Sequence, residues 1–136
     1  MMLSSKAATS YSDVQVETGI ADASRTTLIQ MLLDGLIESL NAAEGHINRN
    51  AISEKSLQLT RASRIVIGLQ AALDHEKGGE IAKNLGELYG YVIKRILHIN
   101  VKNDLDALRE IRGLMTQIRE AWILVPGLVS SQHRIM

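Results

Sequence analysis

The only proline in the chain is Pro126, so residues 1–125 contain no proline helix breaker. Apolar residues recur through that length at spacings of three and four. This is the helical period, and no strand-like alternation competes with it. The expected fold is therefore all-α.

Four helical segments are separated by stop signals. The first spans residues 24–47, with Ser24 as N-cap and Asn48, Arg49 and Asn50 at its end. The second spans residues 53–76 and stops at Gly78-Gly79, a C-terminal signal. The third runs over 80–99, and Asn100 and Asn103 mark the next break. The fourth starts at Asn103 or Asp104 and ends before Pro126; Asp104 and Asp106 then lie in its first turn, where they favour the helix dipole. Short connections between four helices predict an antiparallel up-down four-helix bundle. The domain reading is an N-terminal lead-in over 1–23, a bundle over 24–125 and a loose tail over 126–136.

Two helices are apolar over more of their circumference than a bundle requires. On the fourth, Leu108, Ile111, Leu114, Met115, Ile118 and Trp122 fall within roughly 120° of arc, an ordinary core stripe. On the third, one stripe is Ile81, Leu85, Leu88, Val92, Ile96 and Ile99. A second beside it holds Ala82, Gly86, Tyr89, Gly90, Ile93 and Leu97, and together they span roughly 200°. The first is wider still: Leu28, Ile29, Met31, Leu32, Leu33, Leu36, Ile37 and Leu40 leave a narrow polar face near Gln30, Asp34, Glu38 and Asn41. This excess either packs centrally, lies under the lead-in, or forms a groove for a partner's amphipathic helix. The groove reading takes Leu28, Met31, Leu32, Leu36, Ile65, Leu69, Tyr89, Ile93 and Leu97 as its lining. Gly86 and Gly90, one turn apart, mark either a close helix crossing or a trough where a partner's backbone approaches.

Composition narrows the function classes. Fifteen basic and fifteen acidic residues give no net charge, so the basic surface that non-specific nucleic-acid binding needs is absent. With no cysteine there are no disulfides, thiol catalysis or cysteine-bound zinc, which fits a reducing compartment. No apolar run reaches the ~20 residues of a membrane span, and the N-terminus lacks a secretory h-region, so a cytoplasmic location is expected.

Catalytic patterns are missing too. A di-iron bundle carries Glu-x-x-His pairs. Here Ala43, Ala72, Arg95 and Ser130 stand three residues before the four histidines. Gly78-Gly79 has no phosphate-loop context. His75-Glu76-Lys77-Gly78 raises a histidine phosphotransfer domain as a rival. Lys77, however, points about 200° away from His75 on a helix, too far to assist a phosphoryl group. No enzyme, metal or cofactor is expected. A second rival is a homo-oligomeric structural bundle whose wide faces pair with copies of itself.

Three blocks, in order, carry a family resemblance. Residues 11–35 read YSDVQVETGIADASRTTLIQMLLDG; residues 78–100 read GGEIAKNLGELYGYVIKRILHIN; and Asn103-Asp104 leads to Arg119-Glu120-Ala121-Trp122. The chain resembles the flagellar secretion chaperones, the FliS family. The resemblance implies a cytoplasmic chaperone that binds the C-terminal helical segment of flagellin, prevents premature polymerisation and escorts it to the flagellar type III export apparatus. It also implies contact with export-gate components, a monomer or weak homo-oligomer, and a lead-in that caps the groove through Tyr11, Val14, Val16 and Ile20. Leu33 stands where the family usually has Tyr or Phe, Arg25 where many members have Pro, and Gly90 where a larger residue is common. Leu33 and Gly90 are expected to alter the partner-contacting surface.

Overall fold

The computed structural model describes residues 21–124. These described residues form four helices: α1 (Ala21–Asn48), α2 (Ile52–Ala71), α3 (His75–Lys102) and α4 (Leu105–Leu124). Each packs on its sequence neighbours and α4 closes on α1, while among the described residues the diagonal pairs α1–α3 and α2–α4 have no close backbone approach. This is the antiparallel up-down four-helix bundle expected from the helical period. Four side chains from each helix build the core. They are Leu33, Leu36, Leu40 and Ala43 of α1; Leu59, Ala62, Val66 and Leu69 of α2; Tyr89, Val92, Ile96 and Ile99 of α3; and Ala107, Leu108, Ile111 and Met115 of α4. Burying one such leucine or isoleucine contributes roughly 1.5–3 kcal/mol.

Of the asparagine stops, Asn50 and Asn103 act as expected, while Asn100 lies inside α3, which runs on to Lys102. Asn50 and Asn103 both adopt the left-handed conformation, φ 57° and 52°. Asparagine tolerates it better than most residues. At Asn103 the backbone N–H donates to the Ile99 carbonyl 2.8 Å away, closing α3. Asp104 then caps α4, its Oδ1 accepting from the Ala107 N–H at 3.0 Å.

Two boundaries differ from expectation. α1 begins at Ala21, so Ser24 lies inside it; Ala21 and Ala23 are strong helix formers that extend the helix upstream. The second helix ends at Ala71 rather than at residue 76, and the break that follows is at residues 72–74; Gly79 is nonetheless non-helical, so the long run of α3 starts at Glu80 as expected. Asp74 there is an N-cap whose Oδ1 accepts from the backbone N–H of Glu76 (3.1 Å) and Lys77 (3.0 Å), so a new helix starts at His75. The glycine pair instead kinks the first turn of α3. Gly79 has φ 49° and ψ −123°, and a Cβ on Gly78 would stand 2.8 Å from that of Ala82. Both positions exclude a side chain.

α2 ends without a glycine cap. Arg25 reaches across from α1 and donates to the Ala72 carbonyl at 2.6 Å, satisfying an oxygen the helix end leaves open. At the opposite end of α2, Lys55 is buried. Its Nζ donates to the Asn100 carbonyl (2.9 Å) and Asn103 Oδ1 (2.7 Å), placing a cation at the C-terminus of α3.

Candidate partner-binding surface

The four seams between helices differ in chemistry. Where α4 meets α1, Glu44 accepts from Arg109 at 2.9 Å and also pairs with Arg112. Asn41 accepts from Arg112 at 3.0 Å, and Asp34 pairs with Arg119. The Trp122 indole N–H adds a bond to the Thr26 carbonyl. Where α4 meets α3, the Tyr91 hydroxyl donates to Glu110 at 2.7 Å and Arg95 lies 3.5 Å from the same carboxylate. His98 contacts Asp104 at 2.9 Å across the turn between those helices. Both seams of α4 are thus laced by charge.

The seams of α2 are not. Toward α3 it is bridged near its ends, by Lys55 and Ser56 to Asn100 and by Gln70 to the Gly86 carbonyl. Toward α1, among the described residues, its one ion pair is Arg61 to Glu38, at 3.9 Å. Most exposed apolar side chains lie on or near these two seams and on the ridge of α2 between them; Ile81, near the start of α3, and Tyr91, on the α3–α4 seam, lie apart. Met31 (61% exposed) stands on the outer face of α1, one turn from Gly35 of the α1–α2 seam, and Leu57 (70%) stands on the ridge of α2, opposite its core face. Leu97 (62%) and Val101 (75%) lie on the edge of α3 nearest α2, on the side of Asn100. Ile52 and Ile67 complete the set on α2.

The nine side chains chosen from sequence are divided by the structure. Met31 and Leu97 are exposed; Leu28, Leu32, Ile65 and Ile93 are half-buried. Leu36, Leu69 and Tyr89 are core residues, with almost no surface for a partner in this conformation. Burial pushes the Tyr89 hydroxyl up from its ordinary pKa. Because α1 and α3 are diagonal, their wide faces do not form one groove; they border two seams, one on each side of α2. Tyr11, Val14, Val16 and Ile20 lie outside the described residues. Leu33, expected to alter the partner surface, is fully buried, so that departure is a core substitution. Gly90 is no tight crossing either: a Cβ there would meet Gln70 Nε2 at 3.8 Å, an ordinary contact.

Sequence reasoning passed over Ile52, Leu57, Ile67, Val101 and Arg61. Leu57 was detectable, since it sits roughly 180° from the core face of α2 on a helical wheel. Among the described residues no group of histidine and carboxylate side chains could hold a metal ion, and no helix is long and apolar enough to cross a membrane.

The molecule these features define is an antiparallel helical bundle with one charge-laced side and one apolar side. The family model described as Flagellar protein FliS matches residues 7–127. The chain belongs to the FliS family. It is 42% identical over 124 residues to the flagellar secretion chaperone FliS of Salmonella typhimurium, covering 90% of this chain and 92% of that one. It is 39% identical over 121 residues to FliSB of Pseudomonas aeruginosa, covering 89% and 96%. With FliS of Escherichia coli the identity is 34% over 132 residues, covering 94% and 97%.

Proposed function

We propose that this protein is a non-enzymatic, cytoplasmic chaperone that binds the C-terminal helical segment of flagellin. It holds that segment away from filament contacts and delivers it to the flagellar type III export apparatus, where export-gate components receive it. The observation that carries the reading is the exposed apolar surface around α2, in a chain whose relatives are secretion chaperones. Met31, Leu57, Leu97 and Val101 give the apolar face of a partner helix a surface to cover.

The physical logic is displacement. A flagellin terminus that packs as helix in the filament is apolar-faced and lacks a core of its own when free. Laying that face into the α2 seams hides the surface that drives assembly. Ordering the segment opposes binding and keeps the affinity moderate, which suits later release.

The test is filament growth in vitro. Equimolar chaperone is expected to suppress polymerisation of flagellin monomers onto seeds, with a one-to-one complex in size-exclusion light scattering. Unimpeded growth, or homo-oligomers that ignore flagellin, contradicts the reading.

A further inference from the structure

Among the described residues Arg61 is the one ion-paired residue of α2, and it is anchored. Its Nη1 donates to the Gly35 carbonyl at 3.1 Å and to the hydroxyl of Ser39, a fully buried residue. Gly35 makes room for it: a Cβ there would stand 3.1 Å from Arg61 Nη2. These contacts fix the plane of the guanidinium on the α1–α2 seam. Its Nε and Nη2 make no hydrogen bond among the described residues. Glu38 does not neutralise it firmly. That carboxylate lies 3.9 Å away and is 78% exposed, a geometry that contributes little in water. Arg64, exposed one turn further along α2, adds to the positive charge. Leu57 and Ile65 stand one turn to either side of it on α2, and Ile65 also packs on Gly35, so the cation has apolar flanks.

We propose that Arg61 is a specificity-determining residue of the partner surface, offering the open edge of its guanidinium to a carboxylate on the apolar-faced segment that docks in the α1–α2 seam. The inference rests on the chaperone reading above. A guanidinium held in a fixed plane matches a carboxylate through two parallel hydrogen bonds, and apolar flanks shield that pair from water. Apolar contacts alone tolerate sliding of a helix by a turn. A single fixed charge sets the register, because a misplaced segment leaves the cation covered and unpaired.

The test uses the full chain and full-length flagellin in isothermal titration, at low and high salt. Arg61→Glu is expected to bind at least about tenfold more weakly at low salt, and Arg61→Met, which keeps the apolar stem, somewhat less so. Wild type is expected to weaken more with salt than Arg61→Met does. Changing the carboxylates of flagellin's C-terminal segment to lysine one at a time is expected to yield one variant that Arg61→Glu binds better than wild type does. Thermal unfolding of each variant shows whether the Ser39 and Gly35 contacts were needed for folding; the lysine scan against wild-type chaperone keeps the proposal testable if they were. Equal binding of flagellin by wild type and Arg61→Glu overturns this inference and leaves the chaperone reading standing. Failure of wild type to bind flagellin overturns the chaperone reading itself.

Discussion

Arg25, Lys55 and Arg61 each donate to a backbone carbonyl on or just past a neighbouring helix, at 2.6, 2.9 and 3.1 Å. None was legible in the sequence. A helical wheel places a cation on a face but says nothing of the carbonyl it meets on another helix. Lys55 falls on the core side of α2, where a wheel shows only a misplaced charge. The ion pairs of α4 carry a prediction. Hydrogen bonds from Arg112 and then Arg109 hold the Glu44 carboxyl below its ordinary pKa. Asp104 is lowered first by its hydrogen bond with His98, and Asp74 first by the Lys77 backbone N–H. The unfolded chain binds these protons more tightly than the folded one. The stabilisation is therefore full above the ordinary carboxylate range and is lost as pH falls through the depressed values, from about pH 4 downward. Denaturant titrations across that range are expected to show a shallower acid loss for Glu44→Gln than for wild type. Identical slopes would mean that the arginine contacts do not persist in solution.

Among the elements, the existence and order of the helices followed from the apolar period and from the absence of proline, and α4 kept its sequence-derived stripe intact. The break between α2 and α3 did not follow. Ala72-Leu73-Asp74 has no glycine, proline or asparagine, and only the capping capacity of Asp74 marks it. The nearby Gly78-Gly79 pair is the stronger textual stop, yet it serves a kink. Glycines inside helices thus have opposite roles. A Cβ on Gly113, inside α4, meets nothing within 4 Å. Gly113→Ala is expected to stabilise by roughly 0.5–1 kcal/mol, because alanine restricts the unfolded chain and favours helix. Gly79→Ala, at positive φ, is expected to destabilise by about 1–2 kcal/mol or more. Thermal melts of the two variants check both signs.

For the whole molecule, the apolar excess was legible as an amount, while its location was not. The wide faces of α1 and α3 suggested one groove. In the bundle those helices are diagonal, and the exposed surface lies on both sides of α2, from which the expected lining held only Ile65 and Leu69. Burial took Leu36, Leu69 and Tyr89 into the core and left Met31 and Leu97 outside. These two should separate binding from folding. Met31→Asp and Leu97→Asp are expected to keep the fold by circular dichroism while weakening flagellin binding. Ile111→Ala, a core truncation, is expected to lose about 2–5 kcal/mol of stability with little effect on affinity where it remains folded. The reverse pattern would place the partner surface elsewhere. The most direct measurement of the central claim is calorimetric titration of this protein with intact flagellin and with flagellin lacking its C-terminal segment. A one-to-one complex with the intact protein, abolished by the deletion, is the predicted result; unchanged binding after the deletion would contradict it.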